Sequence, residues 1–425
     1  MRPSRFPSLS IRDPAFGGGA VAGEPDPADP ALWAWFRGDK YILEQTPPHG
    51  PYPYCCYAWG NASNATVDKT NRTNSRNLSY RTDPGIVYPP CFTRTDQLEN
   101  IIGASENLTS GVSGAAWYFT GGTRDDATHY TFSALNGAIF WQTPYLWPQR
   151  TYKLTITARA VSGNTNLEIW HPDSLTGVSQ PLTLTGSLAD YTFSFLGKTN
   201  PLVTYSRVGI RDPNAAGFGQ IEVTKWHLRD SSMSDTYLLS TGSWGPRLGT
   251  LFPGHRCVEC GPYGYTRTLQ NMTSDDAISL PLTIYFVTYF RYYTGWLFGT
   301  NSPDTWDCGA LIDPPLNMYA NTSGVRLPLN NPQPAVDNPY ILTWGFQNGV
   351  TSYNRKNLEA PNSGNNLQSG ASITRGFTFG GQNNLSGTDA GGMYFPEIII
   401  YEGTRTALQE ADTINYLAAR YGIVV

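Results

Sequence analysis

Charge is scarce in this chain. Only 15% of its 425 residues are charged, the net charge is −4, and no run of Lys or Arg stands out. A nucleic-acid-binding surface needs a cationic stripe to neutralise phosphates, so nucleic acid is not an expected partner. Long apolar runs are missing too. The most apolar stretch, residues 280–299, is broken by Thr283, Thr288, Arg291, Tyr292, Tyr293 and Thr294, which excludes a spanning helix and with it membrane insertion. The opening MRPSRFPSLSIRDPAFGGG has no apolar core of a secretory signal, so synthesis in the cytoplasm is expected. The five histidines show neither H-x-x-x-H nor H-E-x-x-H spacing, and G-x-S-x-G and P-loop motifs are absent. No catalytic residue and no cofactor are expected.

Cysteine is sparse: Cys55, Cys56, Cys91, Cys257, Cys260 and Cys308. A chain of this size does not depend on disulfide staples, and cytoplasmic synthesis disfavours them. His255-x-Cys257-x-x-Cys260 has a zinc-like spacing, with Cys91 or Cys308 as a fourth ligand, but structural zinc sites normally show two such pairs. Thiols or late disulfides are expected rather than a metal.

Aromatics, by contrast, reach 13%, with 43 Gly, 32 Pro and 26 Tyr. Aromatics with many turn formers and little charge fit an all-β chain of short strands, and the length suits two cores rather than one. Residues 1–30 are rich in Pro, Gly and Asp without periodicity. They read as an extended arm that is ordered only when something holds it, with Arg2, Arg5, Phe6, Ile11 and Phe16 as its anchoring residues. Ala31–Phe36 is a short aromatic strand, followed by an Arg37-Gly38-Asp39 triplet that chance explains. Residues 44–99 form a long irregular loop of the kind that is functional or clamped by partners.

From 100 to 242 the pattern turns to alternating strands. Tyr152, Leu154, Ile156 and Ala158 alternate with polar residues, as do Tyr191, Phe193 and Phe195, with Leu167, Ile169, Val208 and Ile210 between and after them. The apolar phase slips by one among Ile221, Val223, Trp226 and Leu228, as at a β-bulge. These strands predict a jelly roll of about eight strands. Further on, Leu282, Ile284, Phe286 and Phe290 share one face of a strand, and Tyr285, Val287 and Tyr289 the other, so both faces should be covered. Strands at Tyr340–Phe346, Ser372–Phe379 and Glu397–Tyr401 follow. One helix ends the pattern, capped by Thr406 with Gln409 and stopped at Gly422, with Leu408, Ala411, Ile414, Leu417 and Tyr421 as its apolar stripe.

The segment FPEIIIYEGTRTALQEADTINYLAARYGI resembles the closing strand and helix of concanavalin-A-like (laminin-G-like) sandwich domains, which are frequent in phage tail, fibre and capsid-surface proteins. LPLTIYFVTYFR followed by GWLFG, then ILTWGFQNGV, FTFGGQNN and the opening ALWAWFRGD fit the same template. The block containing YKLTITARAVSG and IEVTKWHLRDSSMSDTYLLSTG resembles carbohydrate-binding-module-like jelly rolls. The resemblance implies two antiparallel β-sandwiches. One is a concanavalin-A-like sandwich over 31–43 and 243–425. The other is a jelly roll inserted at 100–242.

Glycosidases on the concanavalin-A-like fold carry E-x-D-x-x-E, two acids about 5 Å apart. The nearest match, Glu410-x-Asp412-x-x-Asn415, falls in the helix and lacks the second Glu, while Asp125-Asp126 and Asp275-Asp276 read as solvated loop acids. Sugar binding needs aromatic faces beside planar polar groups. Trp117, Trp141, Tyr145, Trp147 and Trp170 are the candidate glycan-binding residues, with Trp141 to Trp147 in a Pro-containing loop the most lectin-like; Tyr118 lies in the same region, and Trp296, Trp306 and Trp344 are further aromatics in the sandwich. For each, burial in a core is the competing reading. The expected role is a non-enzymatic virion component (head decoration, head fibre, or tail or spike protein). It would contact other virion proteins through its arm, form homo-oligomers and adhere to a host-surface polysaccharide. The alternatives are a dedicated glycan-binding receptor protein and a polysaccharide-degrading enzyme.

Overall fold

The computed structural model describes residues 22–39, 42–44, 56–59, 78–79, 91–93, 96–108, 111–112, 115–143, 146, 150–174, 179–197, 206–214, 218–240, 249–252, 254–260, 272–273, 278–290, 295–300, 308–312, 317–320, 325–328, 338–347, 351–366, 372–373, 377–379 and 393–425. The arm residues Arg2, Arg5, Phe6, Ile11 and Phe16 lie outside them, as do most of 44–95, Tyr145, Trp147, Trp306 and Asp275-Asp276. The described residues form antiparallel strands and one helix, Ala407–Tyr421. Among the described residues, no helix is long and apolar enough to cross a membrane.

The six- and five-stranded sheets of the jelly roll enclose one apolar cluster running from Ile101 to Leu228. Its central strand, Thr151–Ala160, alternates strictly, with Tyr152, Leu154, Ile156 and Ala158 turned inward. Opposite it, Gln220–Asp230 carries the expected bulge. Thr157 pairs with Lys225 and Ala158 with Val223, leaving Thr224 as the extra residue, and both Val223 and Trp226 face inward. Among the described residues, eleven strands stand between 111 and 230 rather than about eight. One reason is Gly121, whose φ of +60° bends the chain between Ala115–Thr120 in one sheet and Gly122–Arg124 in the other, splitting one sequence run in two.

A second set of strands forms an eight-stranded and a nine-stranded sheet. The strand Leu282–Phe290 is buried along its whole length. Leu282, Ile284, Phe286 and Phe290 join the cluster that also holds Phe298, Phe377 and Phe379 of the nine-stranded sheet, while Tyr285, Val287 and Tyr289 join the cluster that holds the helix residues Ile414, Leu417 and Tyr421. The layers are therefore sheet, sheet and helix, and the middle sheet is covered on both faces as its pattern predicts. Its closing strand, Met393–Glu402, pairs with Leu282–Phe290 on one side, and with Leu32–Arg37 and Val258–Cys260 on the other. Pro396 has no N–H for a ladder, and the register shifts between Val287 and Tyr289 opposite it, so the proline sits at an irregularity rather than in the regular pairing.

The helix begins at the capping box of Thr406 and Gln409 and ends at Gly422 in the left-handed conformation. Its buried face corrects the expected stripe. Leu408 is 72% exposed, and Glu410 turns inward instead, where Arg355 meets it at 3.0 Å and the Tyr353 hydroxyl donates to it. Residues 22–30 also depart from expectation, because they are held by their own chain. Gly23 lies against the backbone of Asp412, closer than a Cβ would permit, and Asp29 pairs with Arg405 at 3.3 Å.

A buried acid ties these elements together. Glu397 is fully buried and accepts hydrogen bonds from Trp35 Nε1 at 2.6 Å and the Tyr421 hydroxyl at 2.7 Å, with Arg420 Nε at 3.2 Å. Asp39 then joins Arg37 to Arg420, at 2.7 and 2.8 Å, so Arg37-Gly38-Asp39 is folded onto its own salt bridges. Removing an acceptor from such a network strands its donors. Glu397→Ala is expected to destabilise the fold by about 3–5 kcal/mol in denaturant titration. Burial pushes the Glu410 carboxyl from 4.5 up to about 7, despite Arg355 beside it. The folded state therefore holds this proton more tightly than the unfolded chain. The stability it contributes is full below pH 4.5 and is lost as pH rises to about 7. Glu410→Gln should remove that loss, so the stability difference between the two proteins should change by about 1–3 kcal/mol between pH 5 and 8. Parallel pH profiles would refute this.

Candidate ligand-binding face

The outer face of the six-stranded jelly-roll sheet carries a row of side chains running across its strands. Tyr118 in Ala115–Thr120 pairs with Phe140 in Ala138–Thr143. Phe140 pairs with Gly209 in Ser206–Arg211, and Gly209 with Trp170 in Asn166–Trp170. Directly paired residues point to the same face, so four strands contribute to one line. Tyr118 stacks on Phe140 with centroids 5.5 Å apart and planes 13° apart, and Phe140 meets Trp170 edge-on at 5.2 Å. Gly209 makes that contact possible. A Cβ there would lie 2.0 Å from the Ile139 carbonyl oxygen and 2.6 Å from the Phe140 Cβ.

Arg207 and Arg211 flank Gly209 on the same face by the two-residue period of the strand. Their guanidinium carbons lie 5.3 and 5.9 Å from the Trp170 ring centre. Each is also paired with an acid. Asp173 meets Arg207 Nη2 at 3.1 Å, and Glu168 meets Arg211 Nη2 at 2.5 Å. Tyr118 is 43% exposed and Trp170 half-buried, so the row is open to solvent at both ends and closed at Phe140. Chemically the face offers apolar ring surface framed by planar donors and acceptors.

Of the sequence candidates, Trp170 lies in this row. Trp117 and Trp141 do not, and their expected role as glycan platforms needs correction. Trp141 has no exposed surface, lies inside Ala138–Thr143 rather than in a loop, and packs on Trp117 at 5.3 Å. Trp117 is 7% exposed, packs on Trp226 at 4.7 Å, and donates through Nε1 to the Ala104 carbonyl. Neither ring presents a face to a ligand, because both share the strand parity of the core residues Ile139, Val208 and Ile210. Trp344 is likewise buried. Phe140, Arg207, Arg211, Asp173 and Glu168 were missed. The signal for two of them was present, since Arg207 and Arg211, with Gly209 between them, alternate with Val208 and Ile210.

Asp125 and Asp126, adjacent acids in the sequence, have structural partners. Asp126 closes a turn by accepting from the Thr128 and His129 amides at 2.7 and 2.8 Å, which holds its carboxyl well below the usual range. Asp125 accepts from Thr131 and Gln220. Cys257 is buried with its thiol 3.2 Å from Thr250 Oγ1, and the His255 ring lies 4.6 Å from that of Tyr421. Among the described residues, no three His, Cys, Asp or Glu side chains form a group that could hold a metal.

No protein family and no curated protein matches the chain. Among solved structures, domain 4 of AbnA, an extracellular arabinanase from Geobacillus stearothermophilus in complex with arabinotriose, is similar at 15% identity and a TM-score of 0.28, over 43% of this chain and 90% of that one. The CBM22 tandem of Paenibacillus barcinonensis Xyn10C aligns at 9% identity and 0.22, over 73% of this chain and 99% of that one. Trypanosoma rangeli sialidase in complex with sialic acid aligns at 9% and 0.30, over 72% of this chain and 53% of that one. At these scores the likeness does not extend to function.

Replacing Gly209 tests the geometry of the row. Gly209→Ala is expected to cost about 1–3 kcal/mol and to separate Phe140 from Trp170, read as a lowered melting temperature with an altered near-ultraviolet circular dichroism spectrum. An unchanged spectrum and stability would show that the close approach is not needed.

Proposed function

We propose that this chain is a non-enzymatic, surface-displayed component of a phage particle that adheres to host-surface glycans through the outer face of its jelly roll. The observation that carries the adhesive part is the row of Tyr118, Phe140 and Trp170 framed by salt-bridged arginines. Sugars present apolar C–H faces ringed by hydroxyls. They are met by aromatic surface with planar polar groups at its edge, which is what four adjacent strands supply here. The particle setting is supported by the resemblance of 31–43 and 243–425 to sandwiches frequent in phage surface proteins. Residues 1–21 are the proposed contact to other virion proteins, since 22–30 are occupied by the chain's own helix.

Two measurements test these parts separately. On a glycan array, the full chain should bind a subset of glycans, and Trp170→Ala or Tyr118→Ala should each weaken that binding about tenfold or more while the variant stays folded, as read by circular dichroism. Equal binding by wild type and both variants would move the site elsewhere. No release of reducing sugar is expected from any bound polysaccharide. The full chain should also co-purify with particles, and deletion of residues 1–21 should abolish this while leaving the protein folded. A full-length chain that never associates with particles would overturn the virion setting and leave the adhesive reading standing.

A further inference from the structure

We infer that this face selects neutral over anionic glycans, and that Asp173 and Glu168 impose the selection by neutralising the two guanidinium groups beside Trp170. The inference rests on the glycan-binding reading above. Two cations against one half-buried indole would, alone, make an anion-attracting site. Here neither cation stands alone. Asp173 Oδ2 accepts from Arg207 Nε at 3.2 Å and from the Arg207 backbone amide at 2.9 Å, while Oδ1 accepts from Nη2 at 3.1 Å. Glu168 Oε2 accepts from Arg211 Nε at 3.2 Å and Nη2 at 2.5 Å.

The pairing is built into the local sequence. Glu168 lies two residues before Trp170 and so projects from the same strand face, directly opposite Arg211 in the ladder. Asp173 lies three residues after Trp170, and its side chain is only 13% exposed, which fixes it against Arg207. The formal charges around the ring cancel, two positive against two negative. A neutral sugar lays its C–H face on the ring and takes hydrogen bonds from the planar forks without displacing either acid. A uronate or sialate must share its guanidinium with a carboxylate already held there, so the cation's attraction is largely cancelled and the ligand meets that carboxylate's repulsion.

The test uses the full-length protein. Its binding to cellohexaose, xylohexaose and mannohexaose is compared with its binding to hexagalacturonate and oligosialic acid, at low and high salt. Three further proteins are measured alongside: Asp173→Asn, Glu168→Gln and Trp170→Ala. The wild type should prefer at least one neutral ligand. Each charge variant should shift the acidic-to-neutral affinity ratio about tenfold towards the acidic ligands, with the gain lost at high salt. Glu168→Gln gives an independent reading should Asp173→Asn, whose residue also accepts from a backbone amide, fail to fold. Wild-type preference for acidic ligands that depends on Trp170 would overturn the inference and leave the adhesive reading intact. So would neutral binding whose ratio moves in neither folded charge variant. Binding to neither class, with all four proteins folded, would remove the adhesive reading and this inference with it.

Discussion

A carboxylate taken wholly out of water costs several kcal/mol unless its lone pairs are filled, and Glu397 is such a group. Its partners come from two elements of the chain: Trp35 in the opening strand, and Tyr416, Arg420 and Tyr421 in the helix. Burial pushes the acid's pKa up, while Arg420, Tyr421 and Trp35 pull it down. Satisfying this one acid therefore fixes how the helix lies on the sheet and how far the opening strand advances along its partner. The second cluster of the sandwich, with Leu32, Tyr285, Tyr289, Ile399 and Leu417, closes around that arrangement. Apolar burial supplies most of the favourable free energy in such a layer, but with both faces of the central strands buried it specifies their register only weakly. The buried acid specifies it closely.

Local periodicity was legible and distant pairing was not. The two faces of Leu282–Phe290 follow from a period of two, and the helix limits follow from Thr406, Gln409 and Gly422, all readable within a few residues. Leu408 was misplaced because an apolar residue in a first helical turn looks like core until the inward position is known to belong to Glu410. What holds Glu410 there is Arg355, fifty-five positions earlier, and no local pattern announces it. Residues 22–30 were read as unsupported for the same reason, since their support is the Asp412 backbone and Arg405.

The candidate site sits between these cases. Trp170 was named from its residue type, and its parity against Leu167 and Ile169 already turned it outward. Trp141 was named on the same grounds although its neighbour Ile139 shares its face. A large aromatic run such as Ala138–Thr143 leaves both faces apolar, and only the sheet above decides which is core. The row itself joins residues 118, 140, 170 and 209, whose adjacency exists only in the ladder. The contact between Phe140 and Trp170 depends on the space left at Gly209.

The pairing of Leu32–Arg37 with Met393–Glu402 sets an order in time as well as in space. On the ribosome the opening strand emerges before the jelly roll and its partner well after it, whereas the jelly-roll strands between 111 and 230 pair among themselves. At about 5–20 residues per second, roughly ten to thirty seconds separate emergence of the last jelly-roll strand from that of the closing strand. Through that interval Leu32, Trp33, Trp35 and Phe36, all buried in the finished protein, have no ladder to join. A nascent chain of this design carries a sticky apolar strand beside an already folded module, and chaperone demand should concentrate on that strand rather than on the jelly roll.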